Sequence, residues 1–117
     1  MNEHKVAIAR SKAGRRFIAQ MSLYNEGDFE RLHEFIETGY YNMILMQNPV
    51  ERRILDLKTT RKLHGRLKVD DVESAEEYSI KVILSTEKND KRLRLEMIVH
   101  EDYPHLVLHY SLLPIDE

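Results

Sequence analysis

Arg61–Ser74 reads RKLHGRLKVDDVES, and the spacing of its apolar residues changes at Gly65. Before the glycine, Val50, Ile54 and Leu57 recur at three- and four-residue intervals, the mark of a helix with one buried stripe. After it, Leu67 and Val69 alternate with Arg66, Lys68 and Asp70, the two-residue period of a strand with one buried face. His64 gives the helix a basic last turn and Gly65 gives it a stop. One glycine therefore divides the chain into a helical first half and a strand-forming second half.

Working back from Gly65, Asn48-Pro49-Val50-Glu51 sets a helix start. It offers a capping side chain, proline at the first helical position and glutamate three residues after the cap. The spacing predicts a helix over 49–64. Val6, Ala9, Ala13, Phe17, Met21 and Tyr24 predict a long helix over 4–25, in which Gly14 costs about 1 kcal/mol relative to alanine. Asn25-Glu26-Gly27-Asp28 then forms a corner, with glycine ending one helix and aspartate capping the next. Phe29, Leu32, His33 and Ile36 carry the stripe of a helix over 28–38. Glu37–Gln47 (ETGYYNMILMQ) has no decisive period, and its type stays open.

Working forward, four apolar–polar alternations predict strands over 66–74, 77–87, 91–101 and 105–113. SAEE, EKNDK and EDYPH separate them, each rich in turn formers. Short turns between strands mean an antiparallel meander with one apolar face. The expected fold class is α+β, three N-terminal helices on one side of a curved four-stranded sheet, as one domain over 1–117.

Composition narrows the function. The 117 residues are 42% hydrophobic and 32% charged, with a net charge of −2 and no cysteine. Disulfides and thiolate metal sites are excluded, and a cysteine-free chain without a signal-peptide pattern is expected in the cytoplasm. No window approaches the ~20 apolar residues of a membrane span, so no membrane partner is expected. Lys5, Arg10, Lys12, Arg15 and Arg16 crowd the first helix without interleaved aromatics, so no nucleic-acid partner is expected either.

The order of elements resembles the nuclear transport factor 2-like (cystatin-like) superfamily. Gly14–Glu37 (GRRFIAQMSLYNEGDFERLHEFIE) is similar to the opening of a bacterial branch, in which an Asn-x-Gly-Asp corner precedes a helix bearing Leu and Phe. Arg61–Ser74 is similar to that branch's helix–Gly–strand junction. Tyr103–Pro114 (YPHLVLHYSLLP) is similar to its last strand, with His105 after a proline and Pro114 closing it. The likeness runs over about Gly14 to Ile115. Domains of this branch often precede a beta-lactamase-like serine hydrolase or a tail-specific peptidase domain. The resemblance implies a cone whose hollow is lined by Phe17, Met21, Tyr24 and Phe35 from the helices and by Tyr78, Leu95, Met97 and Tyr110 from the strands. It also implies a homodimer through the outer sheet face, where Ile83, Arg94, Ile98, Val107, His109 and Leu113 are expected.

Enzymes of that superfamily, such as ketosteroid isomerases and polyketide cyclases, place acidic or histidine groups inside the cone. The inward face expected here is Leu, Met, Val and Tyr. A general acid or base has to lie within hydrogen-bond reach of the substrate, and these strands supply none. The chain also lacks a Gly-x-Ser-x-Gly elbow and a glycine-rich phosphate loop. His100 and His109 fall short of a metal ligand set, so no metal and no cofactor is expected. The function expected is therefore a non-catalytic binding or interaction module holding an apolar small molecule or a partner protein. The alternative is a small isomerase- or cyclase-like enzyme using His33 with Tyr24, Tyr40 or Tyr41, with Asp28 or Glu37 behind the histidine.

Overall fold

The computed structural model describes residues 3–115. Met1, Asn2, Asp116 and Glu117, and the side chains of Glu3, His4 and Lys5, lie outside the described residues. Five helices, α1 (Glu3–Ala9), α2 (Lys12–Glu26), α3 (Phe29–Gly39), α4 (Asn42–Gln47) and α5 (Val50–His64), precede four strands. These are β1 (Leu67–Ala75), β2 (Ser79–Thr86), β3 (Arg92–Val99) and β4 (Val107–Pro114). The class is α+β, as the switch at Gly65 requires.

The helical half departs from the expected three. The first helix is broken at Arg10–Ser11, because Ser11 adopts extended backbone and caps α2 by accepting a hydrogen bond from the Gly14 N–H at 2.8 Å. The break re-aims the first segment, so Ile8 enters the core while Ala9 is exposed. Gly14 is needed there, since a Cβ on it would run into the Ile8 carbonyl. Asn42–Gln47, within the stretch whose type stayed open, forms the short helix α4.

The corner at Asn25–Asp28 forms as read. Gly27 has φ 74°, in the left-handed region that favours glycine. The Asp28 carboxylate accepts from the Arg31 N–H at 3.1 Å. Asn25 does more than turn the chain. Its side-chain amide donates to the Leu67 carbonyl and accepts from the Leu67 N–H, each at 2.9 Å, which ties the corner to the first residue of β1. The Tyr24 hydroxyl donates to the Gly65 carbonyl at 2.8 Å, and Arg61 donates to the carbonyls of Tyr24 and Asn25. The two stretches that decide the fold in the sequence are thus bonded to each other.

The strands lie in the order β1-β2-β3-β4, all antiparallel, as an open sheet. Ile80, Val82, Leu84, Leu93, Leu95, Met97 and Val99 face inward and join Ala13, Phe17, Tyr24, Leu32, Ile36 and Leu57 in one buried cluster. Helix α2 lies across β1, β2 and β3, whereas α5 packs on α3 and α2. That placement leaves space between α5 and the edge strand β4.

The outer face differs from the apolar patch expected there. The register passes from Ile98↔His109 to Val99↔Val107, so Leu108 is an extra residue in β4. This bulge turns Val107 inward, where it is 0% exposed. Val107 is therefore a core residue and not part of an outer contact face. Ile83 does point outward but is only 4% exposed, because charged side chains flank it. Arg94 reaches Glu73 at 2.6 Å and Arg92 reaches Asp70 at 2.7 Å, both across the width of β2. Glu96 pairs with His109 at 2.9 Å and with Lys81 at 3.4 Å. The hydrogen bond from Arg94 holds the Glu73 carboxyl below its ordinary range. Of the expected face, Ile98 is half-buried and Leu113 is 62% exposed.

Candidate functional site

The space between α5 and β4 is a cavity of about 190 Å³. Ile36 and Tyr40 from α3 and its C-cap form one wall, and Tyr110, Ser111 and Leu112 from β4 form another. Arg53, Asp56, Leu57 and Thr60 of α5 close the third side, with Asn48 at the end of α4. Spacing of three and four along α5 brings Arg53, Asp56, Leu57 and Thr60 to one side of that helix.

The polar groups of this cavity are arranged around Arg53. Its Nε donates to the Asn48 carbonyl at 2.7 Å and its Nη2 to the Ile44 carbonyl at 3.0 Å. These bonds fasten the last turn of α4 to the first turn of α5. The guanidinium stands 5.3 Å from the centre of the Tyr40 ring, a cation–π arrangement. Asn48 was expected to cap α5, but the extended residue at the helix start is Pro49 and no side chain caps it. The Asn48 backbone carbonyl accepts from Arg53, and its side chain caps nothing. Its Oδ1 is buried without a hydrogen-bond partner among the described residues. An unpaired buried carbonyl costs roughly 1–3 kcal/mol.

Behind the cavity lies a buried phenol cluster. The Tyr40 hydroxyl donates to Gln20 Oε1 at 2.6 Å, and the Tyr40 and Tyr110 rings are tilted with centroids 6.4 Å apart. Burial, followed by the neighbouring Tyr110, pushes the Tyr40 phenol well above its ordinary range. Burial and the neighbouring Tyr24 do the same to Tyr110. Burial raises Tyr24 to about 12. All three phenols stay protonated near neutral pH, so they act as hydrogen-bond donors and not as bases.

The residues expected to line the hollow are dispersed. Tyr110 lines the α5–β4 cavity. Phe17 and Met21 line a shallow groove of about 180 Å³ shared with Ile8, Ile18 and Val69. Tyr78 borders an open depression of about 590 Å³ at the end of the sheet, where Glu76, Glu77, Glu101 and Asp102 are exposed. This hollow is larger than the α5–β4 cavity, but its rim is solvated and acidic. Leu95 and Met97 are fully buried, Tyr24 is buried, and Phe35 packs under the Arg16 guanidinium at 5.8 Å. None of these four lines the α5–β4 cavity.

His33 lies outside the cavity. Its ring is 35% exposed and faces Glu51 across 3.6 Å, so the carboxylate beside it is neither Asp28 nor Glu37. His100 accepts from the Asp102 N–H at 2.9 Å and stacks near Tyr41, while His109 pairs with Glu96. No group of three metal-ligating side chains occurs among the described residues.

Sequence reading missed Gln20, Asn48 and Arg53 as a site. Gln20 carried a usable signal, since it interrupts the Ala13–Phe17–Tyr24 stripe with a polar side chain at helical spacing. Arg53 carried none, because a lone arginine on a charged helix face is ordinary. No helix of the described residues is long and apolar enough to cross a membrane. Comparison of the chain with family models, with curated proteins and with solved structures finds no match.

Proposed function

We propose that the chain is a non-catalytic binding module of the nuclear transport factor 2-like kind, acting in the cytoplasm, that holds a small molecule between α5 and β4. The observation that carries this reading is the α5–β4 cavity, lined by the Tyr40 and Tyr110 rings, Arg53 and the side chains of Ile36, Leu57 and Leu112. Its ~190 Å³ falls short of the roughly 300–1,000 Å³ of drug-sized sites, so the occupant is about the size of a single ring. Helices followed by a sequential antiparallel sheet support the superfamily likeness.

Chemistry at this site has little support. The two lining phenols are held protonated, and His33 is elsewhere. The single carboxylate on the lining, Asp56, belongs to an exposed residue at the mouth. An isomerase or cyclase would need its base against the reacting carbon, and an exposed rim carboxylate is poorly placed for that.

A homodimer through the outer sheet face would rest on Ile98 and Leu113 alone. At ~1.5–3 kcal/mol for each fully buried aliphatic side chain, two per subunit do not outweigh an association cost of about 4–15 kcal/mol by much. Ile98 and Leu113 by themselves therefore support at most weak self-association through this face.

A single-ring fragment set read by thermal shift tests the binding reading. At least one fragment should raise the melting temperature of the native chain, and Thr60→Trp, which fills the cavity mouth, should abolish that rise. Fragments that stabilise both proteins equally, or none that stabilises either, would remove the cavity as the site.

A further inference from the structure

β1 and β4 form the two edges of the sheet, and they are guarded differently. β1 carries Lys68, Asp70, Asp71 and Glu73, and its register shifts twice, between Val69 and Asp71 and between Val72 and Ser74. Charges and bulges of this kind keep an edge from pairing with another strand. β4 (VLHYSLLP) contains no lysine, arginine, aspartate or glutamate. Beyond the bulge at Leu108 its register runs without a break from His109 to Pro114. Helix α5 packs on α3 and α2 rather than along this strand.

The ladder shows which backbone groups of that edge are open. The Ile115 N–H donates to the Arg92 carbonyl at 3.0 Å. Alternation then turns the backbone of His109, Ser111 and Leu113 towards β3, and that of Tyr110 and Leu112 away from it. Among the described residues no third strand takes the N–H and C=O groups of Tyr110 and Leu112. The run is closed at both ends, because the Tyr41 N–H donates to the Val107 carbonyl at 2.9 Å and Pro114 has no N–H. The open groups are therefore symmetric about Ser111.

A second copy of β4 running antiparallel, with Ser111 opposite Ser111, satisfies all of them. Tyr110 of each copy then exchanges two hydrogen bonds with the partner's Leu112. The side chain at the two-fold axis is small, which suits a pair whose Cα atoms approach to about 4.5 Å. Glu96, which lies across from Ser111 on β3, is already paired with His109 and Lys81, so the axis carries no unbalanced charge. Leu113, 62% exposed in the single chain, would be covered by the partner's His109. The net charge of −2 adds little repulsion between whole chains. We infer that the chain forms a two-fold dimer by pairing β4 with β4 of a second copy, which joins two four-stranded sheets into one. Tyr110 and Leu112 also line the α5–β4 cavity, so the partner strand borders that space, but the pairing does not depend on what the cavity holds.

Sedimentation equilibrium of the full chain from micromolar to millimolar concentration should show the mass rising from 13.9 kDa towards twice that value. Over the same range amide exchange at Tyr110 and Leu112 should slow by about tenfold or more. Ser111→Lys sets two ammonium groups against each other at the axis and should hold the protein at the monomer mass, and mixing it with Ser111→Glu should restore the dimer. Ile98→Lys, on the outer sheet face, should leave the dimer intact. Loss of the dimer in Ile98→Lys but not in Ser111→Lys would overturn the edge in favour of the face. A native chain that stays monomeric throughout would overturn the proposal and leave the edge to a strand of another chain. A dimer whose Tyr110 and Leu112 amides exchange as fast as in dilute protein would overturn it as well, and that readout needs only the native chain where Ser111→Lys folds poorly.

Discussion

Gly14 shows how one residue carries information that periodicity does not. In a helix of 4–25 it is a small liability, and replacing it with alanine should gain about 1 kcal/mol of helix propensity. In the structure its missing Cβ lets the Ile8 carbonyl approach the start of α2. Gly14→Ala should therefore destabilise the protein by ~1–3 kcal/mol, the usual range for overpacking, as read by urea unfolding. A stabilised variant would mean that α1 and α2 form one continuous helix. Tyr40 permits a second test. Tyr40→Phe leaves Gln20 Oε1 buried and unpaired, at a cost of ~1–3 kcal/mol, whereas His33→Ala should lie within about 1 kcal/mol of the native chain because its contact with Glu51 is solvated. The corner residues Gly27 and Asp28 were legible in the sequence because their roles are local. Asn25 was legible as a turn former only, since its two bonds to Leu67 lie 42 positions away.

Elements were readable where one period ran unbroken, and boundaries failed where tertiary contacts took over. The four strands appear within a few residues of their expected spans because alternation is strong in each. β4 is the instructive case. Strict alternation from Leu106 puts Val107 on the outer face, but a single extra residue at Leu108 reverses it. A bulge leaves no mark on apolar spacing, so the outer face was misread at that point. Unfolding of alanine variants checks the assignment. Val107→Ala should cost roughly 1.5 kcal/mol or more, at about 0.8 kcal/mol per buried carbon, while Leu113→Ala should stay within about 0.5 kcal/mol. Equal losses at both positions would place the bulge elsewhere. The start of α5 follows the same logic. Asn48-Pro49 reads as a cap, yet Pro49 takes the cap position without a side-chain bond, and the Asn48 backbone carbonyl accepts from Arg53.

At the scale of the whole molecule, the buried phenols set the response to pH. An unfolded tyrosine titrates near 10, and Tyr24 is raised to about 12 in the fold, with Tyr40 and Tyr110 raised as well. Between these values the unfolded chain releases protons that the folded chain retains, so stability falls as pH rises. The urea midpoint should show no tyrosine-linked loss below about pH 10 and should drop between 10 and 12. Constancy through that window would mean that the phenols are solvated. The α+β class was visible in the sequence from the change of period at Gly65. The cavity was not, because it arises from α5 packing on α3 and α2 rather than on β4, which is a matter of helix direction and not of composition.

The central claim is that this fold holds a small molecule between α5 and β4 without reacting with it. A 15N–1H shift map recorded with a mixture of single-ring fragments tests that most directly. Perturbations should cluster on Asn48, Arg53, Thr60 and Tyr110–Leu112, with every fragment recovered unchanged. Shifts confined to Ile98, His109 and Leu113 on the outer sheet face, or conversion of a fragment into product, would contradict it.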